Sequence, residues 1–182
     1  MRLNYSDDED FPGQFNLWQG NCRRSLRGKR GQAALKRLEA ALLAMPEKGL
    51  RSGKLVAHDG SVCAIGALAR AEGKLPEPEP LYGGEEEDDL DDTADWATDN
   101  LDIPRLVAWK VVAQNDIHND TVWELAEGPL RQWEAVYRGP NHDPNVRGIA
   151  LIRPMTDEER YDKMLAWVRS QILVPPAGQG EK

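Results

Sequence analysis

The chain has 182 residues, enough for one sizeable core, and its 40% hydrophobic content with six tryptophans excludes wholesale disorder, because those rings need burial. A formal charge of −8 disfavours general nucleic-acid binding, since affinity for phosphate backbones rests on Lys and Arg. The average hides an asymmetry: residues 22–54 carry ten basic and two acidic side chains, residues 72–102 thirteen acidic and one basic.

Pro12 has the fixed φ of a first helical turn, and Asp10 is a suitable N-cap. Phe11, Phe15, Trp18, Cys22 and Leu26 follow at spacings of three and four, which predicts a helix with one apolar face. Gly28 and Gly31 interrupt it. A second helix is predicted over residues 32–45, with Leu35, Leu38, Leu42 and Met45 inside and Pro46 ending it. The pair reads as an αα-hairpin whose connection carries a basic patch, Arg23, Arg24, Arg27, Lys29 and Arg30.

From Lys54 the period changes. Leu55-Val56-Ala57 and Val62-Cys63-Ala64-Ile65 flank an Asp59-Gly60 turn, which predicts a small β-hairpin packed on the helices. A short helix over 67–72 follows. Pro76, Pro78 and Pro80 then forbid helix, and the run Glu85, Glu86, Glu87, Asp88, Asp89, Asp91, Asp92 and Asp95 lacks apolar partners. Residues 75–102 therefore read as an exposed, partly mobile linker.

Pro104 starts a predicted helix bearing Leu106, Val107, Val111 and Ala113, stopping near Asn115. Asn119 or Asp120 caps another, with Val122, Leu125, Leu130, Trp133 and Tyr137 on its inner side, and residues 149–152 suit a short strand. Thr156 and Glu159 form a capping box for a last helix whose stripe is Tyr161, Met164, Leu165, Val168 and Ile172. That stripe is expected against Phe15 and Trp18 or against the helix of Leu106. Pro175-Pro176 ends it and the tail 175–182 is expected to be disordered.

The expected fold is mainly α with one small β-hairpin, a single compact helical domain interrupted by the acidic linker. Its parts are 1–74 (αα-hairpin plus β-hairpin), 75–102 (linker), 103–174 (the C-terminal helical part of the same core) and the tail. Two cysteines do not make a disulfide framework, an acidic start takes the place of a signal peptide, and no apolar run spans a bilayer. The expectation is a soluble, cytoplasmic protein.

Asp116, His118 and Asp120 form a carboxylate and imidazole group of the kind that holds a divalent metal, and His142-Asp143 is a second such pair. The first group falls where one helix ends and another begins, so caps and turn formers are the preferred reading. His58-Asp59 beside Cys63 invites a Cys/His nucleophile, but the pair sits in a turn and a buried thiol is the commoner fate. No phosphate loop, Cys-pair metal spacing, nucleophile elbow or dinucleotide fingerprint is present, and the reading calls for no cofactor, no metal and no catalytic residue.

Val62-Cys63-Ala64-Ile65-Gly66-Ala67-Leu68, with Asn115-Asp116 and Thr156-Asp157-Glu158-Glu159-Arg160-Tyr161 followed by Ala166-Trp167-Val168, resembles a group of uncharacterised small proteins encoded by bacteriophages and prophages. The likeness covers about a third of the chain. It departs from that pattern in Asp157, where proline is usual, and in a long extra segment before Thr156. The resemblance implies a phage setting and a helical core around Cys63; it brings no catalytic residues. The leading expectation is a non-enzymatic, phage-encoded binding protein that modulates a host protein or protein–nucleic-acid complex, such as an anti-defence inhibitor. Glu85 to Asp95 would supply an acidic docking strip and Trp96 an apolar anchor. The alternative is a nucleic-acid-binding or regulatory protein using Arg23 to Arg30, and the third reading is a metal-dependent hydrolase built on Asp116, His118 and Asp120.

Overall fold

The computed structural model describes residues 12–77, 90–116, 121–125 and 150–174. In chain order these form helices α1 (Pro12–Arg27), α2 (Lys29–Ala44), α3 (Ala64–Ala71), α4 (Leu90–Leu101) and α5 (Arg105–Asp116), strands β1 (Thr121–Leu125) and β2 (Ala150–Pro154), and helix α6 (Asp157–Gln171). The described chain is mainly helical, as its composition and periodicity predict.

Only Gly28 separates α1 from α2. Its amide still bonds the Arg24 and Ser25 carbonyls, at 3.0 and 3.2 Å, and its extended backbone serves as the N-cap of α2. Gly31 lies where the two helices touch: a Cβ there would stand 2.1 Å from the Ser25 carbonyl oxygen, so the close crossing requires glycine. The second helix thus begins at Lys29, three residues before the glycine-broken pattern suggested.

α2 is the spine of the core. Leu35, Leu38 and Leu42 are fully buried, and α2 packs on α1, α3 and α6. α5 packs on α3 as well and also meets α1, α4 and α6. Ile65 and Leu68 of α3, Leu101 of α4, Val107 and Val111 of α5, and Met164 and Val168 of α6 meet in one cluster. At the α1–α5 contact, Trp18 and Trp109 pack edge to face with centroids 4.6 Å apart, and Lys110 Nζ lies 6.0 Å from the Trp18 ring centre. α6 opens with the capping box, Glu159 N donating to Thr156 Oγ1 at 3.2 Å and Thr156 N to Glu159 Oε2 at 3.0 Å. Its stripe packs on α2 and α5 rather than on the Trp18 face, and the Tyr161 hydroxyl donates to the Leu42 carbonyl at 3.0 Å. Leu165 and Ile172 are only partly buried.

Three expectations need correction. The β-hairpin of residues 55–65 is absent as a pair of strands: one bridge joins Val56 to Val62, and Ala57 N bonds Ser61 O at 2.8 Å around the turn. The second arm cannot continue because Cys63 becomes an N-cap and Ala64 enters α3, three residues before the predicted short helix. Twelve residues of the predicted linker 75–102 form helix α4, with Thr93, Ala94, Ala97 and Leu101 buried. The segment around Val122 and Leu125, expected as helix, is strand β1, pairing antiparallel with β2 so that Trp123 faces Ile152 in register. Residues 75–77 are described and 78–89 are not. Outside the described residues also lie His118, Asp120, Leu130, Trp133, Tyr137, His142, Asp143 and the tail 175–182, and outside the described side chains lies Phe15.

Candidate functional site

Helix α4 is stable despite its charge because its ends are compensated. Asp91 and Asp92 occupy the first turn, where carboxylates suit the positive end of the helix dipole. At the other end, Arg37 donates to the Leu101 carbonyl at 2.7 Å and Lys74 Nζ to the Asn100 carbonyl at 2.8 Å. Arg37 also pairs with Glu72. Asp102 then turns the chain with φ of +50°, the left-handed conformation common just past a helix end. The inner face, Ala94, Ala97 and Leu101, packs against the core.

Of the predicted acidic strip, Glu85, Glu86, Glu87, Asp88 and Asp89 lie outside the described residues. Asp91, Asp92 and Asp95 sit on α4, joined by Asp99 one turn further on, which sequence reasoning passed over. Arg105 bonds both Asp91, at 3.2 Å, and Asp95. With 42% of the Arg105 side chain exposed, these pairs contribute little to stability and partly neutralise the strip. Asp92 and Asp99 are exposed, and no ion pair holds either among the described residues. Trp96 is partly buried against the core, so its ring is not a free-standing anchor.

The basic patch is brought together at the end of α1 and the start of α2. Arg30 reaches Asp102 at 2.5 Å, an exposed pair that links the basic patch to the acidic segment of the same chain. Arg23 and Arg27, with Leu26, line one wall of a cleft of about 240 Å³ whose other wall is Ser170, Gln171 and Leu173 at the end of α6.

A third cluster joins residues far apart in sequence. Asn115, near the end of α5, accepts from Ala64 N at 3.3 Å with Oδ1 and donates Nδ2 to the Arg51 carbonyl at 2.9 Å. It therefore caps the start of α3, whose Gly66 amide is bonded at 3.5 Å by the Cys63 sulfur. The buried Arg160 guanidinium donates to the Asn115 carbonyl at 2.6 Å and so closes the negative end of α5. Asp116 Oδ1 accepts from Gly53 N at 3.2 Å and Ser52 Oγ at 3.3 Å. Burial raises the Asp116 pKa above its ordinary value, against the lowering effect of the Asn115, Gly53 and Ser52 hydrogen bonds and the Arg160 charge. Most of these contacts fix backbone, so the cluster's evident chemistry is structural. Among the described residues no group of three metal-ligating side chains occurs, and Asp116's proposed partners His118 and Asp120 lie outside them. Cys63 is only 3% exposed, whereas His58 stands at the surface.

No helix among the described residues is long and apolar enough to cross a membrane. Comparison with curated proteins and with solved structures yields no match. One family model does match, over residues 29–138, from the first residue of α2 past β1. That span holds α4, the start of α3 and the Asn115-Asp116 junction, and it covers more than half of the chain. The chain therefore belongs to this family, DUF6197, a family of unknown function.

Proposed function

We propose that this protein is a non-enzymatic binding module that docks a basic surface of another macromolecule on the outer face of α4. The observation that carries the reading is the division of that helix: Ala94, Ala97 and Leu101 are buried, while Asp92, Asp95 and Asp99 face outward from a helix anchored at its end by Arg37 and Lys74. A strip held this way loses little conformational entropy on docking, and its field speeds and orients the approach of a positive partner. In the sequence, the run Glu85 to Asp89 immediately precedes this helix and carries charge of the same sign.

A finer reading, a phage- or prophage-encoded modulator of a host complex such as an anti-defence inhibitor in the host cytoplasm, draws on the sequence resemblance. The partner class it implies is a host protein or protein–nucleic-acid complex with a basic channel. The test is a direct binding titration. The wild-type protein and the triple variant Asp92→Asn, Asp95→Asn, Asp99→Asn are titrated against purified candidate complexes at low and physiological salt. Wild-type binding that weakens with salt and is lost in the variant supports the proposal. Equal binding by the two proteins refutes the α4 mechanism.

A further inference from the structure

Most arginines elsewhere in the described chain use their N–H groups internally. Arg30 pairs with Asp102, Arg37 with Glu72, Arg105 with Asp91 and Asp95, and Arg169 with Glu39; Arg70 and Arg160 donate to backbone carbonyls. Arg23, Arg24 and Arg27 make no such bond among the described residues, and of these Arg23 and Arg27 line the same cleft. Spaced four apart on α1, they lie one above the other on one face of the helix.

The cleft is held open by a bonded frame. Gln32 Nε2 donates to the Leu26 carbonyl at 2.8 Å and to the Gln171 carbonyl at 2.9 Å, and Gln32 Oε1 accepts from Leu173 N at 2.7 Å. One amide thus ties the end of α1 to the end of α6 and satisfies the carbonyls that converge there. The positive charge of Arg27 also suits the negative end of α1, but that role leaves the guanidinium N–H donors unused. At about 240 Å³ the cleft has roughly eight times a water's share of liquid volume, room for more than a bare ion. Leu26 and Leu173 supply an apolar side to it.

We propose that this cleft binds the phosphoryl group of a phosphorylated small molecule. The Arg23 and Arg27 forks hold the phosphate oxygens, and the organic portion rests on Leu26 and Leu173. Two planar forks match tetrahedral oxyanions with paired N–H donors, as an ammonium does not. The same phosphoryl chemistry occurs at the end of a polynucleotide, and the overall charge of −8 argues for the small molecule as source.

The experiment is ¹H–¹⁵N NMR titration of the full chain, including arginine Nε signals, with three probes: inorganic phosphate, adenosine 5′-monophosphate and a 5′-phosphorylated oligothymidylate. Saturable shifts at Arg23, Arg27 and Gln171 with the monophosphate, weakened at least tenfold in R23Q/R27Q and reduced in R23K/R27K, are expected. Lys163→Gln, which changes charge on an exposed part of α6, should leave the affinity unaltered. Binding of the oligonucleotide alone would overturn the small-molecule assignment. No saturable shift with any probe, or unchanged affinity in R23Q/R27Q, overturns the site itself. Matching thermal melts of wild type and R23Q/R27Q, expected because both arginines are exposed, separate loss of binding from loss of fold.

Discussion

Replacing Gly66 with alanine should destabilise the protein even though alanine is the better helix former. Gly66 is buried in the first turn of α3, and a Cβ built on it falls 2.1 Å from the Leu55 carbonyl oxygen and 2.9 Å from Val62 Cβ. The first obstacle is backbone, so α3 must recede by more than an ångström. Overpacking of this kind costs about 1–3 kcal/mol. Moving the helix start also stretches the Asn115–Ala64 hydrogen bond, and a buried donor left unmade costs about 1–3 kcal/mol more. The propensity gain of alanine over glycine returns only about 1 kcal/mol. The net loss of roughly 1–5 kcal/mol is a large share of a typical total of about 5–15. Gly20→Ala is the control. It makes the same chemical change in α1, where nothing lies within 4 Å of the new Cβ, and should stabilise by about 0.5–1 kcal/mol. Urea denaturation of both variants gives opposite shifts of midpoint if the packing argument holds. A Gly66→Ala protein as stable as wild type would show that α3 does not meet the 55–62 segment as described.

Asp116→Asn should stabilise at neutral pH. The folded state raises the Asp116 pKa, so within that window it holds a proton that the unfolded chain has released, and stability from this group falls as pH rises from the ordinary carboxylate value of 3.8 through the raised folded value. The advantage of the variant should therefore vanish below that window; an advantage equal at all pH values would contradict the burial argument. Thr156→Ala removes one half of the capping box and should cost about 1 kcal/mol by urea denaturation, with Thr156→Ser restoring most of it. Asp92→Asn with Asp99→Asn should leave the melting temperature nearly unchanged, because the first-turn dipole benefit lost with Asp92 is offset by removing Asp99 from the negative end of α4; a large drop in calorimetry would mean that these carboxylates hold the fold.

α6 was legible because its signals are local: a capping box and an apolar stripe within fifteen residues. α4 was hidden by its own composition. Leu90, Ala94, Ala97 and Leu101 fall at helical spacing, but two of the four are alanines and the intervening residues are mostly aspartate, threonine and asparagine. Its stability draws on Arg37 and Lys74, which lie far upstream. β1 was misread for a similar reason, since its partner β2 begins 25 residues after β1 ends and a local window sees only Val122 and Leu125 at helical spacing. At the Asn115-Asp116 junction the chemistry was legible but not its reach. Asn115 is a capping residue as its type suggests, yet the helix it caps is α3, more than forty residues earlier. For the basic stretch, local charge was evident, but the cleft of Arg23 and Arg27 needs the end of α6, which packs on α2 and is bonded there by Gln32.

The two cysteines give this core its own clock. Cys22 is 1% and Cys63 3% exposed, and burial raises the Cys22 pKa, against a lowering influence from Lys110. A thiol reagent in solution can reach neither sulfur until the surrounding helices part. The labelling rate of Cys22 then counts openings of α1, while that of Cys63, whose sulfur caps α3 beneath the 55–62 segment, counts openings of the centre. Following the two rates as urea rises would show whether α1 detaches before the centre yields or the whole chain unfolds as one unit.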